Sequence, residues 1–315
     1  MTPTISAIIP TYQRAGLVGR AIDSALSQSA APLEVIVVDD GSTDDTAARL
    51  AEYGDRIVRL RQDNAGGAAA RNLGVHHARG EWVAFCDSDD LWLPDHLARI
   101  GAAIEATGAA ADVYFDDVER TDAEGGGTTF EAAGLQLADG WEMRRDARAW
   151  ALAARQPTML QGAVVRRETF CAVGGLWPAL SSRHDTHLFY RLLIDHPACA
   201  VAGVGATMTA DEDPTRRLTA GNALRHRRYW ECSVQLYGDL LEQRHDPEEQ
   251  RVLRDLLARS YKRLGRTAFG EHAWLEGAGC WWRGFRASPL TIPWSVVARN
   301  QPTPGVVAAR RALGG

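Results

Sequence analysis

Along the first 115 residues, short continuous apolar runs alternate with longer segments in which apolar residues recur every three or four positions. The continuous runs predict buried strands, and the wider spacing predicts amphipathic helices. The predicted strands are residues 5–9, 34–38, 57–60, 82–86 and 111–115, and the predicted helices are residues 16–28, 67–78, 94–107 and a segment with Ser42 as its N-cap.

Four strand–helix units with short connections favour an α/β fold with a doubly wound, mostly parallel sheet. In such sheets ligands bind beyond the carboxyl ends of the strands. Polar motifs follow three of the predicted strands there, at residues 10–12, 39–42 and 87–90. We therefore predict that these three motifs face one binding crevice.

The chain beyond residue 115 is patterned differently. Residues 116–160 show little regularity, whereas residues 219–269 are predicted to be mainly helical. Residues 277–305 contain four prolines and are predicted to wrap around the rest of the molecule. We place a boundary between residues 215 and 216. In between, strands are predicted at 162–165 and 200–204, and helices at 169–173 and 183–196.

The composition is that of a globular protein, with 45% hydrophobic and 24% charged residues. Five scattered cysteines without a CxxC pair argue against a disulfide framework and a structural zinc site, and they fit a reducing cytoplasm. The apolar run at the N-terminus is too short for a signal peptide, and no apolar stretch approaches the ~18–20 residues of a spanning helix. We expect a cytoplasmic protein without a nucleic-acid partner.

The net charge of −5 conceals an asymmetry between the two parts of the chain. Residues 1–215 are net −13 and residues 216–315 are net +8, which predicts different roles. The basic part also holds five of the ten tryptophans. Two interpretations stay open: the rings pack the C-terminal helices, or they attach the protein peripherally to the inner face of an anionic membrane.

Three carboxylates stand close together in the motif Asp87-Ser-Asp-Asp90, directly after an apolar strand. No lysine or arginine stands beside them in the sequence, so a bound cation would relieve their repulsion. Mg²⁺ or Mn²⁺, which takes carboxylates together with substrate phosphates, suits this arrangement. The alternative is a solvated acidic turn that caps the next helix, a role that Asp90 alone could fill.

The second strand ends in the motif Asp39-Asp-Gly-Ser-Thr-Asp44. Gly41 is expected to relax the turn, and Ser42 to cap the following helix. Asp40 lies where a carboxylate can accept hydrogen bonds from a base or a ribose, and we predict a ligand role for it.

Two further segments carry candidate chemistry. Residues 64–74 form a glycine–alanine loop that enters a helix, where Arg71 and the helix N-terminus favour phosphate. The loop is neither GxGxxG nor a Walker motif, so nothing supports a nicotinamide cofactor or a P-loop ATPase. Asp185 stands at the start of a helix and is either a helix-terminal charge or a general base. His184 and His187 are candidate metal or phosphate contacts, or structural residues.

Taken together, these motifs resemble family 2 of the inverting glycosyltransferases, which have the GT-A fold, a Rossmann-like sheet flanked by helices. The resemblance spans about residues 4–215 in family order. It rests on IIPTY at 8–12, VVDDGSTD at 37–44, ARNLG at 70–74, GEWVAFCDSDDLWLPD at 80–95, and residues 174–191.

The resemblance implies a nucleoside-diphosphate sugar donor and a role for each matching residue. It puts Pro10, Tyr12 and Asp40 around the base and ribose, Asp87 near the sugar nucleotide, and Asp89 on the metal. Asp185 matches the position of the catalytic base. In these terms residues 1–115 are the donor-binding half and residues 116–215 the acceptor-side half of a catalytic domain, followed by a helical, basic extension.

The chain departs from the family pattern at the base. Many members have Glu-Asp there, and this chain has His184-Asp185. The departure puts the type of acceptor in doubt more than the activity. A further metal or diphosphate ligand of the family has no clear counterpart, and Arg216, Arg217 and His226 are only candidates for it.

The function expected from the sequence is transfer of a sugar to an acceptor hydroxyl with inversion, in synthesis of cell-surface polysaccharide or glycoconjugate. Asp185 would deprotonate a carbohydrate or lipid-linked acceptor, while a metal held by Asp89 would neutralise the leaving diphosphate. The alternatives are a non-catalytic module that binds nucleotide sugars or carbohydrate, and a sugar-1-phosphate nucleotidyltransferase. The nucleotidyltransferase is disfavoured because residues 10–16 are not a glycine-rich loop.

Overall fold

The computed structural model describes residues 2–120, 126–137, 140–153, 155–209 and 223–291, with the backbone alone for residues 223–226. Its contacts divide the chain into two compact units, Met1–Arg217 and Leu218–Gly315. The division falls close to the boundary that the sequence predicts.

The described part of the first unit is built on one sheet of nine strands. Its order is β3-β2-β1-β4-β8-β6-β9-β5, and β7 pairs with β9. The strands are β1 (Ile5–Thr11), β2 (Glu34–Asp39), β3 (Val58–Arg61), β4 (Trp82–Phe85), β5 (Leu91–Trp92), β6 (Val113–Glu119), β7 (Trp141–Arg144), β8 (Ala163–Arg166) and β9 (Ala198–Thr207).

Helices flank this sheet. They are α1 (Val18–Leu26), α2 (Thr46–Ala51), α3 (Gly67–His77), α4 (His96–Ala106), α5 (Thr129–Ala133), α6 (Arg148–Ala151), α7 (Arg167–Ala172) and α8 (His184–Asp195).

Strands β3, β2, β1 and β4 form the parallel half of the sheet that the sequence predicts. All residues of β1 and β4 are buried, which explains why these strands read as continuous apolar runs. Helix α3 lies directly on β1 and β2: a Cβ added at Gly74 would lie 2.6 Å from Cγ2 of Ile8 and 3.3 Å from Cγ2 of Val38. This close packing fixes the position of α3 against β1 and β2.

The remaining strands make the sheet mixed. Strand β8 runs antiparallel to both β4 and β6, β6 is parallel to β9, and β5 and β7 are antiparallel to β9. Residues 116–160 are more regular than the sequence suggests, since they hold the end of β6, α5, β7 and α6. Their elements are short, with α5 starting at a capping box between Thr128 and Glu131, so no hydrophobic period develops.

The described part of the second unit consists of three helices, α9 (Ala223–Gln243), α10 (Pro247–Gly270) and α11 (Trp274–Ala287). The helical prediction for residues 219–269 is therefore confirmed over its described part. The prediction that residues 277–305 wrap is wrong for residues 277–287, because the prolines begin only at Pro289 and leave α11 uninterrupted. Within the described ranges, no helix is both long and apolar enough to cross a bilayer.

Candidate active site

The three polar motifs meet at one edge of the sheet because β1 lies between β2 and β4. Pro10 pairs with Val38, and Thr11 with Asp39. On the other side of β1, the backbone N–H of Cys86 donates to the carbonyl of Ile8 at 3.0 Å. Tyr12, which follows β1, is exposed at this edge. The three motifs that are predicted to face one crevice therefore lie side by side at one edge of the sheet.

Asp40 is buried and organises the connection between β3 and α3. Its carboxylate accepts hydrogen bonds from Gln62 Nε2 at 2.7 Å and from the backbone N–H groups of Ala65 at 2.9 Å and Gly66 at 2.8 Å. Gly66 has φ 90°, a conformation that favours glycine. Asp40 thus shapes the loop that leads to Arg71, a role that the motif alone did not reveal.

Ser42 does not cap α2, so this prediction is wrong. Its hydroxyl accepts a hydrogen bond from the backbone N–H of Gln13 at 2.9 Å. Helix α2 begins only at Thr46, with Asp45 at the N-cap position and no side-chain cap. Gly41 has φ 81°, as expected for the turn.

Gln13 ties the loop after β1 to the loop after β2, a contact to which no motif in the sequence pointed. Its Oε1 accepts from the N–H groups of Thr43 at 3.3 Å and Asp44 at 3.0 Å, and its Nε2 donates to Thr43 Oγ1 at 2.7 Å. The next residue, Arg14, has a guanidinium nitrogen 3.8 Å from a carboxylate oxygen of Asp89. The hydrogen bonds of Gln13 therefore hold the loop that places the Arg14 guanidinium beside the acidic motif.

The acidic motif places three carboxylates together, with one oxygen each from Asp87, Asp89 and Asp90 within 4.8 Å of one another. Asp90 is buried and accepts from Gln161 Nε2 at 2.7 Å and from the N–H of Thr209 at 3.1 Å. Burial, together with the charges of Asp87 and Asp89, raises the pKa of Asp90 well above its ordinary value. The reading of Asp90 as a solvated capping residue is wrong, because the segments carrying Gln161 and Thr209 cover it.

These carboxylates fit a divalent cation on chemical grounds. A hard oxygen-binding ion between them would relieve the repulsion that raises the pKa of Asp90. Asp87 and Asp89 are the partly exposed carboxylates of the motif, with 26% and 25% of their side chains exposed, whereas Asp90 is buried. The donor set suits Mg²⁺ or Mn²⁺.

The acidic motif has basic partners that its sequence neighbourhood lacks. Besides Arg14, Arg71 is buried and forms an ion pair with Asp87. Arg71 reaches it from the first turns of α3, whose position on β1 is fixed by Gly74. The expectation of an uncompensated acidic cluster is thus corrected by residues that are distant in sequence.

Helix α8 brings Asp185 into the neighbourhood of this cluster. Asp185 is half-buried in the first turn, and its Oδ1 accepts from the N–H of Thr186 at 2.7 Å. The preceding His184 has Nε2 at 3.4 Å from Nη1 of Arg71. Burial, and then the charge of Arg71, lower the pKa of His184 against the opposing charges of Asp185 and Asp87.

The surroundings of His187 agree with the structural interpretation of this residue. It is buried, and its ring packs on Trp177 with the centroids 5.2 Å apart. Arg216, Arg217 and the side chain of His226 lie outside the described residues, so the candidates for a further metal or diphosphate ligand are not placed.

The comparisons with known proteins agree with the resemblance that the motifs at this sheet edge carry. Residues 6–157 match the model of the family described as glycosyl transferase family 2. This segment therefore belongs to family 2 of the glycosyltransferases, as its motifs predict.

Curated relatives match about a third of the chain. The succinoglycan biosynthesis protein ExoO of Rhizobium meliloti (strain 1021) is 42% identical over 122 residues, which are 38% of this chain and 35% of that protein. The chain thus spans about a third of the length of this relative.

Solved structures extend the likeness in fold to nearly the whole chain. S. aureus TarS 1-349 in complex with UDP-GlcNAc has a TM-score of 0.66 at 19% identity, and the match covers 93% of this chain and 82% of that one. The mannosyltransferase PcManGT from Pyrobaculum calidifontis, in complex with GDP-Man and Mn²⁺, has a TM-score of 0.56 at 19% identity, covering 99% and 81%. The predicted GT-A fold with a mainly helical C-terminal part is confirmed.

Proposed function

We propose that this protein is an inverting glycosyltransferase that moves a sugar from a nucleoside-diphosphate sugar to an acceptor hydroxyl. The observation that carries the proposal is the continuous set of contacts from Asp87 through Arg71 to His184, the neighbour of Asp185. It joins the donor-side motifs after β4 and at the start of α3 to the candidate base on α8.

The donor occupies the edge formed by the ends of β1, β2 and β4. Pro10, Tyr12 and Asp40 surround the base and ribose, and Asp87 lies near the sugar nucleotide. Tyr12 is exposed and free to pack on a planar base, whereas the carboxylate of Asp40 already bonds Gln62, Ala65 and Gly66. Asp40 thus also acts by shaping the nucleotide pocket. Arg71 offers its charge to the diphosphate.

Asp89 holds Mg²⁺ or Mn²⁺, with Asp87 and Asp90 completing the acidic environment. Support comes from the carboxylate geometry and from PcManGT, whose solved complex contains GDP-Man and Mn²⁺. When bound, such an ion supplies charge neutralisation for a leaving diphosphate.

Asp185 acts as the general base. Its carboxylate takes the proton of the acceptor hydroxyl as the acceptor oxygen forms a bond to the anomeric carbon. The bond from that carbon to the diphosphate oxygen breaks with both electrons leaving on the diphosphate. The products are a glycoside of inverted configuration and a free nucleoside diphosphate, without a covalent enzyme intermediate.

The process served is synthesis of polysaccharide or glycoconjugate, on a carbohydrate or lipid-linked acceptor. The similarity to ExoO, a succinoglycan biosynthesis protein, supports the polysaccharide context. The enzyme acts in the cytoplasm, and the basic C-terminal part contacts the inner face of the membrane.

A two-stage experiment tests this function. UDP-, GDP- and dTDP-sugars are first screened with and without Mn²⁺ for protection against thermal unfolding, since a bound ligand raises stability by mass action. The protective donor is then incubated with candidate acceptors, and the nucleotide product is identified. Free nucleoside diphosphate with a new glycoside is the expected result. Release of pyrophosphate would instead indicate a nucleotidyltransferase, and binding without any product a non-catalytic module.

A further inference from the structure

The Arg71 guanidinium lies between two side chains from different parts of the fold. One terminal nitrogen, Nη2, pairs with Asp87, and the other, Nη1, lies 3.4 Å from Nε2 of His184. Arg71 is only 6% exposed, and its Nε has no hydrogen-bond partner among the described residues. The backbone leaves room for it, because a Cβ added at Gly67 would lie 3.0 Å from Nη1.

The chemistry of this contact defines the state of the histidine. An arginine side chain only donates hydrogen bonds, so Nε2 of His184 must be the acceptor and its ring must be neutral. The lowered pKa of His184, due first to burial and then to the Arg71 charge, agrees with a neutral ring. His184 therefore holds the guanidinium without cancelling its charge.

The position of His184 also affects its neighbour. Asp185 follows it directly in the first turn of α8. If the guanidinium turned toward Asp185, an ion pair would lower the basicity of that carboxylate. A neutral acceptor at residue 184 keeps Nη1 engaged and leaves the Asp185 carboxylate to an incoming hydroxyl.

We propose that His184 is a positioning residue for donor binding: through its neutral Nε2 it fixes Arg71 against Asp87, with the positive charge directed to the donor diphosphate and away from Asp185. The inference rests on the proposed function, because it takes the diphosphate of a sugar nucleotide as the ligand of Arg71. It gives a physical role to a residue at which this chain departs from the Glu-Asp pattern.

Binding of UDP, GDP and dTDP in the presence of Mn²⁺ tests the proposal, measured by calorimetry on His184→Ala and His184→Gln. His184→Ala removes the hydrogen-bond acceptor of Arg71. We expect it to lower the affinity for the nucleoside diphosphate that binds to the wild-type protein by about tenfold. His184→Gln places an amide oxygen near the position of Nε2, and we expect it to restore affinity to within about threefold of wild type. His76→Ala, on the exposed face of α3, is the matched control.

A double-mutant cycle separates positioning from a merely structural effect. In an Arg71→Ala background, the His184→Ala change should cost no further affinity, because its effect passes through Arg71. Additive losses, or an unchanged affinity in His184→Ala, would overturn the inference. The proposed function fails separately, if wild type binds none of the three nucleotides and no sugar nucleotide yields a nucleoside diphosphate.

Discussion

The three carboxylates after β4 differ in their surroundings, and this difference bears on their proposed roles. Asp90 is buried under Gln161 and the Thr209 backbone, whereas the side chains of Asp87 and Asp89 are 26% and 25% exposed. Asp87 is held by Arg71, while Asp89 has the more distant Arg14 at 3.8 Å. Asp87 and Asp89 are therefore the carboxylates that an ion arriving with a donor can reach, and the proposed function assigns the metal to Asp89.

We expect Asp89→Ala to abolish metal-dependent donor binding and turnover, because it removes the partly exposed carboxylate that is proposed to hold the metal. Calorimetric titration with the sugar nucleotide, with and without Mn²⁺, measures this effect apart from activity. Asp63→Ala, an exposed carboxylate in the loop before α3, is the control and should bind as wild type does. Unchanged Mn²⁺-dependent donor binding in Asp89→Ala would show that the metal ligand lies elsewhere.

Asp185→Asn preserves the shape of the side chain and removes only the basicity of its carboxylate. Donor affinity should stay nearly intact while kcat falls by about 10²-fold or more, as loss of a general base does. Steady-state rates of nucleoside diphosphate release provide the measurement, with Asp195→Asn in the last turn of the same helix as the control. A kcat within a few-fold of wild type would assign the base to another residue.

Asp40→Ala should weaken binding of the bare nucleotide as much as binding of the sugar nucleotide, because Asp40 is proposed to lie beside the base and ribose that both ligands share. Its hydrogen bonds to Gln62, Ala65 and Gly66 predict a second effect, a loss of stability of about 1–3 kcal/mol from donors left unpaired. Affinities are compared at a temperature where circular dichroism shows the variant folded. A loss confined to the sugar-dependent part of the affinity would contradict the assignment.

Single residues show where the sequence was informative. The motifs pointed to Asp87, Asp89 and Asp185 because their residue types, after a strand or at the start of a helix, are local signals. The contact between Arg71 and His184 joins residues 113 positions apart, and neither side chain alone carries a signal for it. Gln13 was likewise missed, since an amide in a short loop becomes a clamp only when a second loop lies beside it.

At the scale of elements, helix α3 depends on a close approach to the sheet. A Cβ at Gly74 would lie 2.6 Å from Ile8 Cγ2 and 3.3 Å from Val38 Cγ2, and those branched side chains are themselves buried. The start of this helix carries Arg71. The glycine thus sets the distance between the guanidinium and the strand ends.

We expect Gly74→Ala to destabilise the fold by about 1–2 kcal/mol, because overpacking outweighs the higher helix propensity of alanine. Gly101→Ala is the matched change within α4, where the added Cβ would meet Pro3 Cγ at an ordinary 3.6 Å. It should raise stability by about 0.5–1 kcal/mol. Urea denaturation measures both, and equal shifts in the two variants would contradict the packing argument.

The hydrophobic pattern predicts individual strands better than it predicts how they pair. The apolar runs of β1, β2 and β4 were evident because both faces of each strand are buried. The pairing of β6, β8 and β9 was not, since strand direction depends on contacts between segments distant in sequence. Strand β5 has only two residues, too few for any period.

At the scale of the whole molecule, the charge split coincides with the division into two units. The first unit contains the acidic motifs, and the basic part after residue 215 contains α9, α10 and α11. Helix α11 gives both interpretations of the C-terminal tryptophans a physical basis. Trp281 is buried against Leu264 and Ala258, so one ring does pack the helices.

Other apolar residues of α11 face outward: Leu275 is 76% exposed and Trp282 is 43% exposed. They stand seven residues apart, on one side of the helix, with Arg283 and Arg286 nearby. Arginine beside exposed aromatic and aliphatic side chains is what peripheral attachment to an anionic bilayer uses. We therefore expect the protein to co-sediment with vesicles that contain anionic lipid, and not with neutral ones. Binding should weaken as salt rises through the range that screens charges.

The double variant Leu275→Ser with Trp282→Ser locates this effect. It should lower vesicle binding by about tenfold or more, since it removes most of the apolar area that would enter the interface. Leu33→Ser, a similarly exposed apolar residue of the first unit, is the control and should bind vesicles as wild type does. Binding that ignores lipid charge and salt, or that survives in the double variant, would mean that this face of α11 serves an acceptor or another protein chain.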